Sequence, residues 1–414
     1  MDRNPTKEEL NQPLLTQGYD TDNERHPPLE KRESKDDEDL SFWKVMRQIT
    51  DLSIYPIVGM LFHPAYHLVN TVILGQDDDA VNSLATFGLA TVTIGISLMS
   101  VQISFNNSLT TLISQLILNF IVFIPICLLL LFVEYFFLGI GQQAEVASRA
   151  SFFIKVLLPG FFCYGIFHTY SKYLAGQKEV RFDEESFRNL WPQMKMSLYS
   201  CGMIIWGWWA FDVFTFIGTF MSLEVMAAQT VCRNIVLIFY MIPVGLSQAS
   251  SVMVGNMIGK KNIQGARVYG QMCSLTSFAW GCASVLVMAI FGEQIVRLFS
   301  SSESVRNLVT EAFLMIWLYI LFDCLQCIGA GIISGLGRQG KGSILTVFGF
   351  WALGIPLALV QTFYYNMGII ALWLGPLVAI TFNSFAYYAF ILKIDLKEIV
   401  REAEERRLRE KKRI

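Results

Sequence analysis

Charge is what this sequence has least of. Asp, Glu, Lys and Arg make up only 16% of its 414 residues. Beyond residue 42 they gather in short clusters between long stretches with almost none. An ordinary soluble domain carries about a quarter of its residues as charged side chains, so this balance excludes that class. The two signs nearly cancel, 32 basic against 34 acidic, which gives no footing for a nucleic-acid partner. Histidine is scarcer still, at four residues, one of them in the polar N-terminal stretch. His63 and His67 are spaced i,i+4 with no third ligand beside them, a pattern that favours packing over a metal site. No phosphate-binding glycine loop and no Ser-His-Asp arrangement can be placed, so no enzyme motif competes and no cofactor is implied. The eight cysteines lie almost wholly inside apolar runs, where Cys324 and Cys327 read as small packing residues rather than a redox pair.

What is present is hydrocarbon. The chain is 53% hydrophobic, with a mean hydropathy of +0.45. Several runs of about twenty residues are nearly free of charge, long enough to cross about 30 Å of bilayer core. Ten spans are expected, at 47–73, 82–112, 116–138, 148–174, 196–219, 224–250, 264–291, 307–336, 343–364 and 367–392. The first is the weakest, carrying Pro56 and Pro64, which are tolerated where neighbouring groups satisfy the freed backbone. The fold class is therefore an all-α polytopic membrane protein.

The flanks set the domain plan. Residues 1–42 hold 12 acids and 6 basic residues with few apolar side chains, the composition of a disordered tail without a secretory leader. Residues 43–177 form a first membrane lobe, 178–195 a linker, 196–392 a second lobe and 393–414 a charged terminal helix. With the N-terminus in the cytoplasm, Lys172, Lys178, Arg181, Arg188, Lys195, Lys260, Lys261, Arg267, Arg338 and Lys341 fall inside. Only Arg149, Arg297 and Arg306 fall outside, beside the acidic "GQDDDAVN" (75–82). That asymmetry fits the positive-inside rule and places both termini in the cytoplasm, with a plasma or vacuolar/lysosomal membrane as the setting. The terminal helix carries Leu396, Ile399, Val400, Ala403 and Leu408, so it either lies along the inner membrane surface or stands as a solvated charged helix.

The two halves echo each other. "LATFGLATVTIGISLMSVQISFNNS" (84–108) lays over "MAAQTVCRNIVLIFYMIPVGLSQAS" (226–250) without gaps, and 145–177 parallels 304–339. Internal repeats of this kind belong to secondary transporters. The repeat is unequal: two more spans follow Gln339, but only a short polar stretch follows Gln177 before the next span. Span 2 also runs into span 3 through "TLISQLIL" (111–118) with no polar loop.

Several motifs then carry a resemblance. "WPQMKMSLYSCGMIIWGWWAFDVF" (191–214) resembles the seventh helix of the multidrug and toxic compound extrusion (MATE) transporters, eukaryotic branch. "AAQTVCRNIVLIFYMIPVGLSQASSVMVGNMIG" (227–259) is similar to their eighth, and "LFDCLQCIGAGIISGLGRQGKGS" (321–343) to their tenth. "LGIPLA" (353–358) with "MGIIALWLG" (367–375) is similar to their last two, and "SFNNSLTTLISQ" (104–115) to their second. The resemblance implies a MATE-like two-lobe helical bundle around a central cavity, here with about ten helices, four plus six. It also implies that the fifth and sixth family helices are lacking. Where the family's seventh helix reads Glu-Trp-Trp-x-Phe-Glu, this chain has Gly207-Trp208-Trp209-Ala210-Phe211-Asp212. The second acid is kept and the first, associated with cation or proton exchange, is glycine. The acid of the tenth helix is Asp323.

A carboxylate near mid-membrane costs roughly 2.5–3.5 kcal/mol, so it usually faces a cavity and serves transport. Asp212 and Asp323 on facing helices would make one anionic pocket for organic cations and protons. Trp209 adds an aromatic face to it, and Gln229 and Asn234 add polar contacts. The alternative is structural: each acid is neutral and hydrogen-bonded, or paired with Arg233 or Lys155. The resulting expectation is an antiporter exporting organic cations or xenobiotics against protons or Na+. Export of organic anions or metabolites, suggested by Arg233 and Lys155, remains open. So does a transport-incompetent shortened form that acts as a scaffold or is covered in a homo- or hetero-oligomer.

Overall fold

The computed structural model of the protein describes residues 41–99, 121, 123–175 and 206–411. Every element among them is helical. In chain order they are α1 (Phe42–Gly75), α2 (Ala80–Ile94, running on as a π-helical stretch Gly95–Met99), α3 (123–130), α4 (Val133–Gly139) and α5 (Ala144–Ala175). Then come α6 (206–218), α7 (Leu223–Gly259), α8 (Ile263–Phe299), α9 (Glu303–Glu311) and α10 (Phe313–Gly335). The last three are α11 (Gln339–Phe363, π-helical over Phe348–Gly354), α12 (Ile369–Lys393) and α13 (Leu396–Lys411).

Seven of these helices are long and apolar enough to cross a membrane: α2 with its π stretch, α5, α7, α8, α10, α11 and α12. This is a multi-pass helical membrane protein. The weak first span is nonetheless one unbroken helix. Two expected spans are subdivided. The stretch 116–138 breaks between α3 and α4, where the Phe132 amide bonds back three residues to Leu129 at 3.1 Å and tightens the chain into a turn. The stretch 307–336 breaks at Ala312, where the short amphipathic α9, with Val305 and Val309 buried, gives way to α10. The segments expected to lack a loop (111–118) and two helices (after Gln177) fall outside the described residues, as do the tail 1–40 and the whole linker 178–195.

α7 is the axis of the assembly, packed by α1, α2, α8 and α10. Lipid tails are as apolar as leucine, so close backbone approach and polar contacts must hold such helices together. α2 meets α7 at Gly88, where an added Cβ would lie 2.1 Å from the Thr230 hydroxyl. Only the missing side chain lets those two backbones come so near. α1 is bound to α8 at both ends. At one end the Tyr269 hydroxyl donates to Gln48. At the other, Gln76 Nε2 donates to the Arg297 and Leu298 carbonyls at 3.0 Å, and the Ser301 amide to Gly75 O at 2.7 Å. Side-chain caps start the two longest helices: Ser222 accepts from the Val225 amide, Asn262 from the Gly265 amide.

The charged terminal helix packs one face against the bundle. Leu396 and Ile399 are buried in a cluster with Val45 and Ile49 of α1, Met257 of α7 and Leu336 of α10. Two ion pairs fasten it: Arg338 to Glu402 at 2.8 Å and Lys261 to Glu404 at 2.7 Å. α13 is thereby tied to the α7–α8 and α10–α11 turns.

Candidate functional site

The α6–α7 hairpin builds the centre of the site. Asp212 projects from α6 and is almost wholly enclosed, its side chain 2% exposed. Its partner is Arg233 of α7, whose guanidinium pairs with the carboxylate and stands over the Phe211 ring, 5.7 Å from the centroid. Arg233 is a quarter exposed, so the guanidinium forms the outer layer and the carboxylate the inner one. Behind the acid, α2 leaves room only because residue 95 is glycine: a Cβ there would lie 2.8 Å from Asp212 Oδ2. The π-helical stretch begins at that same glycine.

Trp209 stands three residues before Asp212 on α6. Its indole N–H donates to the Ile96 carbonyl at 3.0 Å and so fastens α6 to the π stretch of α2. Its ring meets Trp206 edge-on, and Trp206 in turn meets Trp351 of α11, whose indole N–H donates to Trp206 O at 3.0 Å. The indole that faces the polar interior is Trp208, which interacts with the Tyr240 hydroxyl, itself in contact with Cys327. Gln229 is buried; its Nε2 donates to Thr215 Oγ1 at 3.3 Å, but its Oε1 has no hydrogen-bond partner. Asn234 donates at 2.8 Å to the Thr230 carbonyl of its own helix, one turn back.

Asp323 sits on α10, 5% exposed, with no hydrogen bond or ion pair among the described residues. Its electrostatic neighbours are the hydroxyls of Tyr240 and Tyr319 and the Cys324 and Cys327 thiols. The two acids thus have separate surroundings, one salt-bridged and one, among the described residues, beside hydroxyls and thiols. An aromatic bridge joins them: Phe211 packs on Tyr319 at 5.8 Å and on Trp373 at 6.0 Å, and Tyr319 lies one helical turn from Asp323. Gly207, where the resemblance leads one to expect a carboxylate, faces Thr346 and Phe350 with nothing closer than 3.8 Å to a Cβ. An open cleft of about 260 Å³ lined by Phe123, Leu128 and Phe162 is wholly apolar and shares no residue with this site.

Of the sequence candidates, Asp212, Trp209 and Gln229 gather around the α6–α7 hairpin, Asn234 turns to its own backbone, and Asp323 stands across the aromatic bridge. The pairing of Asp212 with Arg233 was one of the two alternatives the residues left open. Phe211, Tyr319 and Trp373 were not singled out, because an aromatic residue in an apolar run carries no signal of its neighbours. Cys324 and Cys327 are buried and unlinked.

The sequence pattern that defines the MatE family matches residues 115–183 and 200–360. The chain is 26% identical over 272 residues to multidrug and toxin extrusion protein 2 of Mus musculus, covering 65% of this chain and 46% of that protein. It is 25% identical over 211 residues to multidrug and toxin extrusion protein 1 of Homo sapiens, covering 51% of this chain and 37% of that one. The chain thus spans less than half the length of these relatives. Among solved structures it superposes on the eukaryotic MATE transporter AtDTX14 with a TM-score of 0.75 at 20% identity, covering 88% of this chain and 99% of the other. A MOP superfamily transporter from Pyrococcus furiosus gives 0.61 at 16% identity, covering 84% and 95%.

Proposed function

This chain belongs to the MatE family, and from that premise we propose that it is a secondary active antiporter that moves organic cations against protons or Na+ across the membrane its helices span. The observation that carries the reading is Asp323. A buried carboxylate in a membrane helix, with no ion pair among the described residues, is expensive to keep, and such acids mark substrate, ion and proton pathways. Tyr240, Tyr319 and, through Phe211, Trp373 surround the approach with aromatic surface suited to organic cations. Asp212 supplies a second acid whose charge Arg233 offsets, while Gln229 joins α7 to α6 through Thr215, Trp209 fastens α6 to the π stretch of α2, and Asn234 bonds within α7. Both termini face the cytoplasm in this reading, as the basic turns at 260–261 and 338–341 suggest.

The organic-anion alternative draws less support, since Arg233 is engaged by Asp212 and offers little net positive charge to an anionic solute. The test is pH-gradient-driven efflux of a fluorescent organic cation from proteoliposomes. Flux that disappears in Asp323→Asn is the expected result. An unmutated protein that passes no cationic dye under any gradient overturns the reading.

A further inference from the structure

We propose that the apolar cleft between α3 and α5 takes up the tail of a single-chain fatty carboxylate from the bilayer, whose head pairs with Lys155. The site shares no residue with the acids of the antiport reading and stands or falls independently of it.

Lys155 lies at the middle of the apolar stretch Ala144–Ile166 of α5, about 16 Å along it at 1.5 Å per residue. It is half-buried and makes no ion pair or hydrogen bond among the described residues. An ammonium at that depth is costly and calls for a compensating partner. The other cation of the stretch, Arg149, is already held by Asp79 and Glu145.

Helical spacing puts Lys155 on the face of α5 that carries Leu158 and Phe162, three and seven residues further on, and both of these line the cleft. The rings of Phe123 and Phe162 meet at 5.5 Å and close one end. From there α3 leads eight residues to Leu131, also in the lining, and α5 leads seven residues back to Lys155, roughly 12 and 10 Å of rise. The chain reverses between α4 and α5 at Gly141, with φ 86°, so Leu131 and Lys155 mark the same end. The cleft is thus about 260 Å³ of apolar space with rings at one end and an ammonium at the other, the outline of an anion with a tail. Beside Lys155, Phe152 and Val156 are 71% and 60% exposed, so the mouth opens on the bilayer.

Lipid tails are as apolar as this lining, so the cleft supplies shape and the charge pair supplies retention. A phospholipid would have to bring its glycerol and phosphate down from the headgroup region, whereas a fatty acid brings only a carboxyl group.

The experiment uses the purified full chain in lipid nanodiscs and a diazirine-bearing analogue of decanoate, with the labelled peptides identified by mass spectrometry. Labelling is expected on 123–131 and 158–162, suppressed by decanoate but not by decanol or decyltrimethylammonium. Lys155→Leu should lower it by roughly tenfold, as loss of a charge-assisted contact implies, and Lys155→Arg should retain it. Leu158→Trp, which fills the cleft and keeps the charge, should also lower it. Labelling that is absent from these peptides, that decanol suppresses as well as decanoate, or that survives Lys155→Leu overturns the proposal.

Discussion

The guanidinium of Arg233, 5.7 Å from the centroid of the Phe211 ring, pairs with the carboxylate of Asp212 across the α6–α7 hairpin. The remaining acid, Asp323, has no such partner among the described residues. The two carboxylates of one family motif set therefore have different energetic roles, and the predictions below separate them.

Removing one member of the pair strands the other. Asp212→Asn should destabilise the protein by about 3–5 kcal/mol, toward the lower end because Arg233 is a quarter exposed. Asp212→Asn with Arg233→Gln should recover most of that loss. Chemical unfolding of Asp212→Asn, Arg233→Gln and the double variant in detergent gives the coupling energy, and a double variant whose loss equals the sum of the two single losses would mean that the pair contributes nothing.

Asp323 should behave in the opposite way. Neutralising a buried acid that has no ion pair among the described residues removes a desolvation cost and breaks no pair among them. Asp323→Asn is expected to unfold at or above the temperature of the parent while losing gradient-driven cation flux. A marked loss of stability would reveal a partner that the bare environment does not show.

Gly95 is where α2 presses on Asp212. Gly95→Ala places a Cβ 2.8 Å from Asp212 Oδ2, so either the carboxylate or the π stretch must shift. Overpacking of this kind typically costs about 1–3 kcal/mol. Gly207→Ala, with no atom closer than 3.8 Å to its Cβ, should be nearly neutral. Comparing the two melting temperatures checks the assignment of close approach to one glycine and open space to the other.

The terminal helix is held by Ile399 more than by its charges. Lys261 and Glu404 are about half exposed, and such a pair is worth about 1 kcal/mol or less. Glu404→Lys should loosen α13 only slightly. Ile399→Asp, which puts a carboxylate into the cluster with Val45 and Met257, should release it. Hydrogen exchange over 396–405 reads both. Protection that survives Ile399→Asp would show that the ion pairs suffice.

The sequence alone determined that the chain is helical and lies in a membrane, because long runs without charge can satisfy their backbone in hydrocarbon only by closing helices. It also picked out Asp212 and Asp323, since an ionisable group in such a run stands out against its neighbours. The resemblance to the family's seventh helix implied that Gly207 stands where an acid is usual, but not what space that left. The tertiary structure alone decided which acid is neutralised. Whether Arg233 or Lys155 reaches a carboxylate depends on the rotation and depth of α7 relative to α6, and those are set by contacts as distant in sequence as Gly88 on Thr230 and Gly95 on Asp212. The same holds for Trp209: a tryptophan beside an acid suggests a pocket wall, and only the position of the Ile96 carbonyl turns its indole into a fastening between helices. Hydropathy acts residue by residue and survives in one dimension; pairing depends on where helices come to rest, and that is fixed by shape.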